Sequence, residues 1–193
     1  MAVTANRGFK NIYLFERTGT DTDGYPLIGE GFLLGKANEI NNKALSLSDT
    51  VQEQSFEADD IVEIQRTVTN KTGTLTVYNV DKASLVSLGL YEEDTNGNLV
   101  EAESNKRFAM FFETEKSDGT VIQHWFYDVA IAAAPETYES FNGTNAQELA
   151  LPITVYKSSV MGKNRFKVNV YKGNTGFSDV YPPATLYKPT ATI

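Results

Sequence analysis

Cysteine is absent from the chain, and histidine and tryptophan occur once each. Without thiols there are neither disulfides nor thiolate metal sites, so stability beyond an apolar core has to come from another source, such as association between copies. The lone histidine, His124, excludes His-rich metal sites and leaves a single imidazole for any Ser-His-Asp arrangement. No G-x-S-x-G nucleophile motif accompanies it. Long apolar runs are missing too: nothing approaches the roughly 20 residues that cross a bilayer. The opening MAVTANRGFK has no apolar centre of the kind a secretion signal carries. The expectation is a protein made in the cytoplasm with no membrane association. Nor is there an excess of positive charge. The formal net charge of -8 argues against a nucleic-acid binder, which presents a basic face.

What is present suits one folded domain spanning 1–193, with 41% hydrophobic and 22% charged residues. The charge is unevenly placed. Residues 157–193 hold six basic side chains and one acidic one, whereas residues 1–156 hold 24 of the 25 acids. Two arrangements fit this split: pairing inside one fold, or the basic end of one copy meeting an acidic part of another.

Most segments read as strands. KNIYLFER (10–17) and GFLLGKANEI (31–40) are extended apolar runs separated by the turn material DTDG (21–24). IVEIQRTV (61–68) and GTLTVYNV (73–80) are a further pair, divided by TNKT. In 106–131, Asp118-Gly119 is the preferred centre of a two-residue hairpin turn. That register places Phe112 opposite Trp125, Met110 opposite Tyr127, Phe108 opposite Val129 and Glu113 opposite His124. LALPITVY is apolar at Leu149, Leu151, Ile153 and Val155, and RFKVNVYK at Phe166, Val168 and Val170. One short helix is expected in VDKASLVSLGL, capped by Asp81 and stopped at Gly89, with Leu85 and Leu88 on one face. Residues from about 173 to 193 contain three of the six prolines and no periodicity, and read as an extended arm.

Residues 41–60, NNKALSLSDTVQEQSFEADD, read as a long polar loop. Five acids and one lysine put half of the chain's net charge into about a tenth of its length. Leu45, Leu47, Val51 and Phe56 are nevertheless scattered through it, more apolar content than a solvating loop requires. Such a segment orders when a neighbour offers a surface. Other candidate chemistry is thin. Asp59-Asp60 and Glu92-Glu93-Asp94 are paired acids that read as solvated surface, since catalysis by such a pair requires a cleft and a specific separation that sequence does not supply, and DTDG starts like a calcium loop but has Phe32 where the twelfth-position Glu would fall.

RGFKNIYLF near the start, FEADD closing the polar segment and GTLTVYNVDKASLVSLGL together resemble the major tail proteins, or tail tube proteins, of long-tailed, siphovirus-type bacteriophages. The likeness covers the first half well and the remainder by order of elements. It implies a mainly β fold, an antiparallel β-sandwich or barrel-like tail-tube domain with one flanking α-helix. Six copies would close into a ring, and rings would stack into the virion's tail tube, through which DNA passes without specific binding. Partners would be further copies of the chain and tail proteins such as the tape measure and terminator. By position, the 41–60 loop matches the family's ring-stacking loop, with Leu45, Leu47, Asp49, Val51, Glu53, Phe56, Asp59 and Asp60 as contact residues. Lys163, Arg165, Lys167, Lys172 and Lys188 form the expected basic partner surface. No catalytic residue, cofactor or metal is implied. Two other readings are a single-ring tail component (terminator or distal tail) and a carbohydrate-binding β-sandwich with Trp125 and tyrosines as stacking platforms. An enzyme relying on Asp and Glu alone has no positive support.

Overall fold

The computed structural model describes residues 6–34, 44–58, 61–78, 80–134 and 148–189. Twelve strands and one helix account for most of them. β1 (Asn6–Thr20) turns into β2 (Pro26–Leu33) through Asp21–Gly24, and β3 (Ala44–Ala58) is followed by β4 (Ile61–Tyr78). After α1 (Lys82–Ser87) come the small pair β5 (Tyr91–Glu93) and β6 (Leu99–Glu101), then the hairpin β7 (Phe108–Lys116) and β8 (Val121–Ile131). β9 (Glu148–Tyr156), β10 (Ser158–Val160), β11 (Lys163–Arg165) and β12 (Lys167–Tyr171) complete the set. The main sheet is antiparallel throughout and runs β2-β1-β7-β8-β9-β4-β3, with β12 also on β8.

β8 is the fork of this sheet. Its first half, Ile122–Phe126, pairs with β12, whereas Val129–Ile131 pairs with β9. The architecture is sandwich-like and not a closed barrel, because β2 and β3 end the strand order without meeting. Alternation along β1 and β7 feeds two cores. Ile12, Leu14, Met110 and Phe112 join Leu75, Val77, Leu151 and Ile153 in the larger one. Tyr13, Phe15, Phe111, Trp125 and Tyr127 lie on the other face, covered by Val160, Tyr25 and Leu186.

The helix follows its expected signals. The Asp81 carboxylate accepts from Ser84 N at 2.7 Å, and Gly89 takes φ 74° while Leu90 N donates to Leu85 O at 3.3 Å. With under two turns it depends on packing, which buried Leu88 and Ser84 provide. DTDG is a turn: the Asp21 carboxylate accepts from the backbone of Asp23 and Tyr25 at 3.0 and 2.9 Å.

Three expectations are corrected. The β7–β8 connection is a three-residue loop: Lys116 N donates to Thr120 O at 2.9 Å and Gly119 alone takes a positive φ, 82°. This shifts the register by one, so Phe111 faces Trp125, Phe112 faces His124 and Glu113 faces Gln123. An irregularity between Phe108 and Met110 then restores the expected Phe108–Val129 pair.

The second correction concerns the polar segment. Residues 44–58 are not a loop but a 15-residue strand, paired along its whole length with the single 18-residue strand that contains both 61–68 and TNKT. Its polarity reflects a strand with no core on one face, and Leu45 and Leu47 turn to the chain's own larger core. The third concerns the C-terminal arm. Among its described residues it has no strand after Tyr171, as expected, yet it is packed: Pro183 and Leu186 are buried, and Phe177 and Tyr187 rest on the second core.

Candidate functional site

The residues that could carry chemistry are held in structural duties. His124 is buried, stacked on Phe112 with ring centroids 4.7 Å apart, and placed between Thr114 Oγ1 at 2.8 Å and Asn169 Oδ1 at 2.9 Å. Burial holds its pKa down at about 4, against the favourable Asn169 contact. Glu113, expected opposite it, instead accepts from Asn11 Nδ2 at 2.6 Å, Gln123 Nε2 at 3.1 Å and the Tyr181 hydroxyl. Burial, followed by the Glu113 carboxylate, pushes the Tyr181 hydroxyl well up, so it stays a proton donor. Gln123 also grips the arm, donating to Ser178 O at 2.7 Å and accepting from Ser178 N at 3.0 Å. Glu93 pairs with Lys82, and Asp94 caps its own turn by accepting from Asn96 N and Asn98 N at 2.9 and 2.7 Å. Trp125 is 1% exposed, which rules out its ring as a stacking platform for sugars. Among the described residues there is no group of three or more potential metal ligands, and no helix is long and apolar enough to cross a membrane.

The feature left over is the distal half of β3–β4. β4 pairs with β9 only from Tyr78 to Asn70, where Tyr156 ends β9. Beyond Asn70, residues 51–58 and 61–69 have, among the described residues, only each other as sheet partners, and they form a two-stranded ribbon that leaves the sheet at a bulge between Thr50 and Val51. Val51 is 45% exposed and Ile64 56%.

The two faces of β3–β4 differ in kind. On one, Leu45 and Leu47 pack inward near the sheet; further out the same face carries the Asp49–Lys71 pair, Val51 and an ion pair between Glu53 and Arg66 at 2.7 Å. Register and alternation place Ser46, Ser48, Thr50, Gln52 and Gln54 on the other, opposite Thr74, Thr72, Asn70, Thr67 and Gln65. Ser48 Oγ donates to Thr72 O at 3.2 Å, and the Thr50 and Thr72 hydroxyls lie 3.5 Å apart, in keeping with this assignment. That face runs for about 27 Å at the usual strand rise without one ionisable side chain.

Of the residues expected to stack rings, Leu45 and Leu47 therefore serve the internal core, Asp49 pairs with Lys71, and Val51 and Glu53 lie on the ribbon. Phe56 is placed in β3 by register alone, and Asp59 and Asp60 lie outside the described residues. The five basic residues do not gather in one patch. Lys188 bonds Asp21 and stands over the Tyr25 ring, and Arg165 lies in the adjacent small hairpin with Lys163. Lys167 is over Phe126, on the face of the larger core, while Lys172 is exposed just after β12. Two lysines missed in the sequence, Lys71 and Lys157, join Lys167 instead. Lys71 was hidden by reading TNKT as a break between strands.

No protein-family model matches the chain, and no curated protein is similar to it.

Proposed function

We propose that this chain is the subunit of a long-tailed bacteriophage's tail tube: copies close into rings, six to a ring, and the rings stack into the conduit through which DNA leaves the virion. The observation that carries this reading is the ribbon. A two-stranded hairpin standing alone is at best marginally stable in water. Among the described residues nothing pairs with the edges of this one, and Val51 and Ile64 are exposed, so identical neighbours are the natural covering. Contact between unlike parts of identical chains closes into a ring where the rotation between copies closes and propagates as a filament where it does not, and a tube of stacked rings uses both. The uncharged face suits a wall past which a polyanion moves, since it offers phosphates no ammonium group to hold them. Tape-measure and terminator proteins would be the partners at the bore and the end of such a tube, and the chain has no enzymatic role.

The test replaces residues 51–69 by Asn-Gly between Thr50 and Asn70, which face each other in the ladder. The expected product is a folded monomer that forms no tubes in negative-stain microscopy, under conditions where the intact chain does. Normal tubes from the shortened chain would refute the reading.

A further inference from the structure

Away from the ribbon, a cleft of about 490 Å³ opens between the segment that links β6 to β7 and the outer face of β8–β9, a volume ordinary for a small-molecule site. On its floor Ala130 and Ala132 offer only methyl groups, with Thr154 and Pro152 beside them across the ladder. Alternation puts these four on one face, opposite the face that Ile131, Ile153 and Val155 turn to the larger core. Tyr156 follows at one end of the floor. Its ring is held by Arg107, whose Cζ lies 3.7 Å from the centroid while Nε donates to Asp128 at 2.8 Å.

The wall is chain in extended form. Glu101, Glu103 and Asn105 line the cleft and are exposed, whereas Ala102 and Ser104 between them are half-buried and tied back. Ala102 N donates to Leu90 O at 2.9 Å, and Ser104 Oγ donates to Leu88 O at 2.8 Å. Two acidic positions therefore lie about 7 Å apart along a fixed edge. The basic side chains close by in sequence are committed elsewhere: Lys82 bonds Glu93, Lys106 bonds Glu16 at 3.1 Å and Ser87 O at 3.3 Å, and Arg107 bonds Asp128. Among the described residues no cation pairs with Glu101 or Glu103, and the two belong to no set of three ligands that could hold a metal ion.

Two anionic points in a row beside a floor of methyl groups suit an elongated organic cation, with ammonium groups at the carboxylates and methylenes on the alanines. We infer that this cleft binds an aliphatic polyamine, a methylene chain with an ammonium group at each end, and that Glu101 and Glu103 are its anionic partners. A compact cation would leave the floor unused, and a single ammonium group would leave one carboxylate unmatched. The cleft is separate from the ribbon, so the inference stands or falls independently of assembly between copies.

Isothermal titration calorimetry of the full chain at physiological salt tests it, with diaminobutane as the probe and butylamine and N-acetyl-lysine amide in parallel runs. One diaminobutane is expected to bind per chain, and butylamine about tenfold more weakly. Glu101→Gln with Glu103→Gln removes the anions, Ala132→Phe fills the floor, and each should weaken diaminobutane binding about tenfold, with thermal melts establishing that both variants are folded. Glu115→Gln with Asp179→Asn makes the same charge change at exposed positions elsewhere and should bind within about twofold of the parent. No binding by the parent at millimolar probe, unchanged affinity in either cleft variant, or an equal loss in the control pair overturns the inference. Butylamine binding as tightly as diaminobutane overturns it too. So does equally tight binding of N-acetyl-lysine amide, since the cleft would then be reading a lysine side chain of a protein.

Discussion

Replacing His124 with glutamine should abolish a component of the chain's acid sensitivity. Its pKa falls from the ordinary 6.5 to about 4 in the folded protein, because burial beside Phe112 disfavours the imidazolium. The unfolded chain therefore binds the extra proton between those two values, and stability rises with pH through that window. The contribution is complete above the unfolded pKa and lost as pH drops toward the folded one. Each pH unit across the window is worth about 1.4 kcal/mol, so the whole is about 3 kcal/mol and the part lost by pH 5 about 2 kcal/mol. For a chain of this size that is a fall of about 5 °C in Tm between pH 7.5 and pH 5. Because carboxylates also titrate on acidification, the informative quantity is the difference between parent and His124→Gln melts across the pH series. The single histidine lets the ring-proton NMR signal of the folded protein be followed without overlap. Parallel melting curves for the two proteins, or a ring that titrates near 6.5 in the folded state, would refute the argument.

Gln123→Ala removes the amide that holds Ser178 from both sides, and should cost about 1–3 kcal/mol and expose 173–189 to proteases that spare the parent. Asp81→Ala should lower stability by about 1 kcal/mol through loss of the helix cap, read in a urea titration. Lysines at Thr72 and Thr74, on the uncharged face, should leave folding intact yet slow DNA release from assembled particles, with the delay shrinking as salt rises; unchanged release kinetics would separate that face from the conduit.

Much of the fold was legible because local signals agreed with the final packing. Asp81 and Gly89 bound α1, and the alternation at Leu151, Ile153 and Val155 marks β9. The strand class of β1, β7, β8 and β12 follows from the same patterning. The errors have identifiable causes. Asp118-Gly119 is compatible with two loop lengths, and only Gly119 carries the positive φ, so the register slipped by one. Residues 44–58 hide a strand because their period-two pattern alternates Leu with Ser near the core and then continues, beyond it, with polar groups on both sides. The fork was invisible for another reason: Lys71, Lys157 and Lys167 come together only through long-range pairing of β4, β9, β12 and β8. No spacing in the sequence encodes that meeting.

β4 is one continuous strand with two mechanical circumstances. From Tyr78 to Asn70 it is clamped between β9 and β3 over the core, and from Thr69 to Ile61 it stands clear like a cantilever. A pull along the axis of the free end arrives at the clamped half as shear along the β4–β9 ladder, where hydrogen bonds share it and resist together. The root of the overhang is thus anchored where Leu75, Val77 and Leu151 are buried, well away from where the load acts.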